Sequence, residues 1–220
     1  SYGTWATMFD KLDPDTYQSD AFKQFKDNRY VIAQRLQSRE FTAGGAYYES
    51  YQDSLNVIDP LTGFPFGFSR THQDVLLYAF LSAYSGTNAN SINLNPFKKI
   101  PIPNWRINYN GLTNIPWIKE YFNNISITHA YSSTLNMGSF RRPLDYGIDS
   151  IGPGENLETQ YTYQSGISLI ERLTPLLGVD MTFANGLVMK LEYKFDRNLT
   201  LNIVPQQMVE VRNKEYVIGA

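Results

Sequence analysis

Leu187-Val188-Met189-Lys190-Leu191-Glu192-Tyr193-Lys194-Phe195 is the stretch on which the fold turns. Successive strand residues point to opposite faces, so Leu187, Met189, Leu191, Tyr193 and Phe195 share one apolar face. Lys190, Glu192 and Lys194 crowd the other. Asn185-Gly186, just before, suits a tight hairpin turn because both residues tolerate positive φ. Upstream of it Val179, Met181 and Phe183 alternate with Asp180 and Thr182. Downstream, Asp196-Arg197-Asn198 reads as a second polar turn, after which Leu199, Leu201 and Ile203 alternate with Thr200 and Asn202.

Two architectures share this pattern. An antiparallel sheet of a soluble protein packs its apolar face on a core and wets the other. The wall of an outer-membrane barrel turns its apolar face to lipid and its polar face to a water-filled lumen. A period of two does not separate them.

Composition leans toward the second. Charged residues make up 18 % of the 220, against about a quarter in soluble domains, and aromatic residues 15 %, with 16 Tyr and 13 Phe. Tyr-rich, Lys-poor strands are what barrel walls and interfacial girdles use, although carbohydrate-binding sandwiches share the bias. The net charge of −2 and the absence of like-charge blocks give no electrostatic footprint for nucleic acid. With no cysteine there is no thiolate metal site and no disulfide framework. The longest uncharged apolar run, 75–84, falls short of the ~20 residues of a helical span. No signal peptide is present, the first residue is Ser1, and Tyr216-Val217-Ile218 still reads as strand at the last residues. These features predict a piece of a longer polypeptide.

Residues 1–40 read as helical, with a start at Asp13-Pro14-Asp15 and an amphipathic face of Phe22, Phe25, Ile32 and Leu36. Asp13, Asp15 and Asp20 lack the Gly and terminal Glu of a calcium loop, which leaves helix capping. Residues 41–70 form a connection rich in Gly, Tyr and Pro, in which Phe64, Phe66 and Phe68 form either an apolar plug or a binding surface. A second helix over 73–84, capped by Ser69 or Thr71 and ended by Ser85-Gly86, is apolar nearly all round and so must be buried. Strands follow at Trp105–Asn110 and Asn124–Phe140, then a Gly- and Pro-rich loop at Arg141–Glu158, a strand over 159–173 and a turn at Pro175. A strand of ~17 residues exceeds both the usual 5–6 and the ~9–11 of a membrane crossing. Barrels tolerate that overshoot more readily than sandwiches do.

Several segments carry a resemblance. Pro101-Ile102-Pro103-Asn104-Trp105-Arg106-Ile107-Asn108-Tyr109-Asn110-Gly111-Leu112 and Ser126-Ile127-Thr128-His129-Ala130-Tyr131-Ser132-Ser133-Thr134 resemble the C-terminal region of the SprA (Sov) family. So do Thr174-Pro175-Leu176-Leu177-Gly178-Val179-Asp180, Asn185-Gly186-Leu187, Asn198-Leu199-Thr200-Leu201 and the run Val75–Gly86. Members of that family are the outer-membrane translocons of the Bacteroidetes type 9 secretion system, also linked to gliding motility. The resemblance covers roughly residues 70–220, and 1–69 only loosely. It implies a very large single-chain barrel that exports folded proteins, with secreted cargo, capping or plug proteins and outer-membrane lipid as partners.

The expected fold is therefore mainly β: an antiparallel meander over 101–220 forming part of a very large transmembrane β-barrel, with a helical insertion over 1–100 packed on its rim or lumen wall. Leu187, Met189, Leu191, Tyr193 and Phe195 are the candidate lipid-facing residues, and Lys190, Glu192 and Lys194 the lumen-facing ones. Phe64, Phe66 and Phe68 are the candidates for contact with cargo or a partner. The Arg141–Glu158 loop is expected outside the cell, mobile or partner-bound. No catalytic constellation is legible: His72 and His129 are too few and too far apart for a metal site, and Glu155 and Glu158 lack a base or electrophile. No enzyme activity, cofactor, metal or nucleic-acid partner is expected. The competing function is a soluble β-rich binding module for glycans or a protein partner.

Overall fold

The structure is a computed structural model that describes residues 4–95, 103–138, 140–148, 150–163 and 166–220. Pro101 and Ile102, at the head of one family-like segment, lie outside the described residues. Helices come first: α1 (Trp5–Met8), α2 (Asp20–Phe41), α3 (Tyr48–Tyr51) and α4 (Gln73–Ser85). Strands β1 (Trp105–Tyr109) and β2 (Phe122–Met137) follow, with the short helix α5 (Pro116–Lys119) between them. The chain continues through β3 (Phe140–Arg141), β4 (Thr162–Tyr163), β5 (Ile167–Phe183), β6 (Val188–Asn202) and β7 (Gln207–Gly219).

β1, β2, β5, β6 and β7 form one antiparallel sheet in that order, and β3 pairs with β4 apart from it. The sheet is an open meander whose outer edges, on β1 and β7, carry no strand among the described residues.

Long helices form where the sequence supplies start and stop chemistry. α2 begins at Asp20 rather than near Asp13, because the Ser19 hydroxyl accepts from the Phe22 N–H. Asp13 instead closes a turn of its own, accepting from the Asp15 and Thr16 N–H groups. α4 is capped by His72, whose Nδ1 accepts from the Asp74 N–H, and not by Ser69 or Thr71, which bond each other. It ends at Gly86 in the left-handed region, as expected. Every residue of α4 from Asp74 to Tyr84 is buried, because α2 packs on one side and the sheet on another.

Two expected turns are absent. β5 runs for 17 residues straight through Pro175, because two surplus residues between Leu173 and Leu177 form a bulge. A residue with no N–H is tolerated in such a bulge. β6 likewise passes through Asp196-Arg197-Asn198 without turning, each residue keeping its register with β7. The turn that was expected there lies instead at residues 203–206. The Asn185-Gly186 hairpin is present, with Gly186 at φ +87° and the Leu187 N–H bonded to the Asn185 side chain.

The Arg141–Glu158 loop is pinned to the helical unit by several polar contacts. Tyr146 OH donates to Glu40 at 3.2 Å, Gly154 N–H to Asp59 at 2.6 Å, Ser69 N–H to Asn156 at 2.9 Å, and Tyr47 OH to the Glu158 carbonyl at 3.1 Å. These contacts tie the described part of the loop to the chain's own residues 40–69.

Candidate functional site

Register defines two faces of the sheet. On one face the layers run, from the Asn185-Gly186 tip downward, through Phe122 with Phe183, then Ile125, Met181 and Met189, then Ile127, Val179, Leu191 and Ile218. Tyr193 and Tyr216 come next, stacked at 4.8 Å, followed by Trp105, Tyr131, Leu173 and Phe195. Aliphatic layers thus lie between two aromatic ones. Below them the same face carries Glu171, Arg197 and Arg212, then Leu135, Leu169 and Leu199, then Met137, Ile167, Leu201 and Met208.

Helices cover only the lower half of this face. Leu199, Leu201, Ile167 and Leu169 share a core with α2 and α4. Higher up, a shallow groove over Leu177, Val179, Leu191, Tyr193, Tyr216 and Ile218 is lined by strand residues alone. Ile218 is 77 % exposed there, Leu187 is exposed, and Met189, Leu191 and Tyr193 are half-buried.

Phe195 departs from the expected lipid-facing set. It is only 2 % exposed, packed with Met8, Tyr131 and Leu173 and tilted against the Phe9 ring at 5.0 Å, so protein surrounds it. The reason is that α1 lies across the sheet at this layer.

The opposite face holds the expected polar set. Lys190 Nζ lies 2.9 Å from Glu192, Lys194 Nζ lies 3.6 Å from Glu192 and 2.9 Å from Glu215, and Asp180 stands across from Lys190 in register. This ladder alternates in sign and is open to solvent, so each pair contributes little to stability. It does make the face strongly hydrophilic beside an apolar one.

The phenylalanines expected at a cargo or partner surface are placed otherwise. Phe68 is 3 % exposed, in the main core and beside Phe41 and His72. Phe64 and Phe66 are half-buried against the same core, Phe64 edge-on to Tyr30 and Phe66 against Tyr51. All three rings pack within the helical unit, Phe68 closed off from solvent and Phe64 and Phe66 with part of their surface exposed. The helical unit as a whole sits on the apolar side of the sheet, away from the Lys/Glu ladder.

Sequence reasoning missed a buried charge layer at the seam between helices and sheet. Glu171 is fully buried and accepts from the Thr4 N–H at 3.0 Å, from the Thr4 hydroxyl and from Tyr131 OH at 2.7 Å. Arg197, across from it in register, donates from Nε to Glu210 at 2.9 Å and from a terminal nitrogen to the Thr7 hydroxyl at 3.1 Å. Its guanidinium sits 5.2 Å from the centre of the Tyr84 ring. Arg212 completes the layer with 2.6 Å to Glu210. The signal was present in the alternation: Glu171 falls between Leu169 and Leu173, and Arg197 between Phe195 and Leu199, both at apolar-face positions.

Among the described residues no cluster of three or more His, Cys, Asp or Glu could hold a metal. His72 is a structural group: its Nε2 meets the Leu157 carbonyl at 3.1 Å while Nδ1 caps α4, and burial drops its pKa to about 4. His129 Nδ1 meets the Leu176 carbonyl at 2.7 Å beside the bulge. No described helix is long and apolar enough to cross a membrane, which says nothing about crossing by strands. Comparison with protein-family models and with curated proteins finds no match for this chain.

Proposed function

We propose that this chain is a segment of the wall of a very large transmembrane β-barrel in a bacterial outer membrane. That barrel would be a protein-conducting channel exporting folded proteins in type 9 secretion and supporting gliding motility, as the family resemblance implies. One observation carries the reading: an uncovered apolar band, bounded by aromatic layers, backs directly onto a face of alternating charges. From Leu187 to Tyr193 the uncovered stretch rises about 20 Å, or about 16 Å along the membrane normal at a ~40° tilt, and the aromatic layers at its two ends extend it toward the ~25 Å band of outer-membrane barrels. Among the described residues the outer strands β1 and β7 have no further strand beside them, which suits neighbouring strands on both sides. Five strands are far too few to enclose a protein-sized pore by themselves.

Connection lengths support an orientation without being uniform: the two-residue Asn185-Gly186 turn and the 110–121 connection lie at one end, and the 203–206 turn, the longest connection (138–166) and the helical unit at the other. Short turns of outer-membrane barrels face the periplasm and long connections face outward, so the helical unit belongs outside the cell. On this reading secreted cargo meets the Lys190, Glu192 and Lys194 face, lipid meets Leu187, Met189, Leu191 and Tyr193, and capping proteins meet the rims.

The competing soluble binding module needs a partner over the same band, and the half-covering by α2 and α4 is the one feature that suits it. Photo-crosslinking in the intact protein separates the two. A crosslinker at Lys194 should trap secreted cargo in transit, and one at Leu191 should trap lipid. A crosslinker at Leu191 that captures only soluble protein, in a chain extracted without detergent, would establish the binding module instead.

A further inference from the structure

Between α2, the start of α4 and the β6–β7 end of the sheet lies a cleft of about 310 Å³, at the small end of the ~300–1,000 Å³ usual for ligand pockets. Its floor is apolar, with Phe25, Leu76 and Leu201 all buried. Its walls carry three cations: Lys26 and Arg29 from α2, and Arg70 from the segment before α4. Among the described residues no Asp or Glu lines it. Other cations of the helical unit have partners of their own. Lys23 reaches Asp13 and Asp20, Arg39 pairs with Glu40, and Arg35 donates to the Ala89 carbonyl. In the cleft, Lys26 donates to the neutral Gln18 side chain, and Arg29 Nε only to the Lys26 carbonyl of its own helix. Burial and the like charge of Arg70 hold the Arg29 pKa below its ordinary value, against the exposed Asp27. The Lys26 and Arg29 heads lie over the Phe22 and Phe25 rings, 5.2 and 5.7 Å from their centres, so both stems rest on the apolar floor.

We propose that this cleft binds an organic phosphate, its phosphate group held by Lys26, Arg29 and Arg70 and its apolar body laid on Phe25, Leu76 and Leu201. A phosphate presents three strong acceptor oxygens in different directions, which suits cations arriving from two separate elements. A carboxylate, planar with two oxygens, suits a single guanidinium fork instead. An anion between Arg29 and Arg70 also relieves a repulsion that no lining carboxylate offsets. The apolar floor adds contact that inorganic phosphate cannot use, so headgroup and body contribute separately. The site stands whether or not the sheet lies in a membrane.

Titration calorimetry on the whole protein in nonionic detergent, with hexyl phosphate as the probe, tests this. Saturable binding at one site per chain is expected, with inorganic phosphate severalfold weaker. Arg29→Gln and Arg70→Gln should each weaken hexyl phosphate binding about tenfold, the loss of one charge-assisted contact. Lys23→Gln removes the same charge from the same helix, but outside the cleft, and should leave binding unchanged. Equal weakening by Lys23→Gln and Arg29→Gln would show general attraction to a basic helix and overturn the site. Absence of saturable hexyl phosphate binding would overturn it too. Phosphatidic acid added to the micelles then distinguishes the sources. If it blocks hexyl phosphate, the cleft accepts a lipid headgroup; if binding is unchanged, it takes a soluble phosphate, and the site stands in both cases.

Discussion

Arg197 is the residue on which the seam between helices and sheet depends. Buried arginine is strongly desolvated, and Glu210, Glu171 and Thr7 offset that penalty from three separate elements. Removing one partner leaves buried charge without compensation, so Arg197→Met should lower unfolding free energy by about 3–5 kcal/mol, read from urea-induced unfolding of the refolded protein. The double variant Arg197→Met with Glu171→Leu should recover part of that loss. The alternation that puts Arg197 on the apolar face was masked because Asp196 and Asn198 flank it, and three polar residues in a row resemble a turn. What overrides local appearance is the pair of carboxylates that the topology brings alongside, 26 positions before it and 13 after. His72 is a second residue whose role only the fold reveals. Its folded pKa of about 4 lies below the ordinary 6.5, so its stabilisation is present above pH 6.5 and is lost as pH falls toward 4. Asp74, raised to about 7 by burial despite Arg39, acts in the opposite sense and loses its stabilisation as pH rises from 3.8 through 7. The difference in stability between wild type and His72→Asn, which keeps a capping side chain, isolates the histidine. That difference should shrink by up to roughly 3 kcal/mol between pH 7 and pH 4.

At the scale of elements, β6 contains both halves of the account. Its first half, 188–193, alternates between open apolar and charged faces; its second half packs under helices. The hairpin, the period of two and the burial of α4 were all legible, because each depends on residues within a few positions of one another. The start of α2, the bulge at Pro175 and the covering of Phe195 were not, because each is decided by a partner distant in sequence. β5, 17 residues long, rises about 55 Å, and the helices cover only its first part, around Ile167 and Leu169. In the intact barrel, Leu191→Arg should cost about 2–4 kcal/mol if the residue lies near the bilayer midplane. Lys190→Leu, on the opposite face of the same strand, should cost far less. Heat-modifiable gel mobility and urea titration of the two variants would check this, and equal effects would contradict the facing.

For the whole molecule, the helical unit packs on the apolar side of the sheet. It covers Ile167, Leu169, Leu199 and Leu201, and bonds Glu171 through Thr4 and one terminal nitrogen of Arg197 through Thr7. Deleting residues 19–84 from the intact protein should therefore prevent assembly, since the lower half of the sheet would expose a core face, with Arg197 losing its Tyr84 cover. An assembled barrel with unchanged secretion would show instead that the unit is dispensable to the wall. The two-faced wall itself is tested most directly by placing a spin label at each position from 187 to 194 in the membrane-reconstituted protein. Accessibility to oxygen, which concentrates in lipid, and to a water-soluble nickel chelate is then measured for each label. The account predicts a period of two: oxygen contact peaking at 187, 189, 191 and 193, and chelate contact peaking at 188, 190, 192 and 194. High chelate access at Leu191 and Tyr193, with no oxygen maximum, would contradict it.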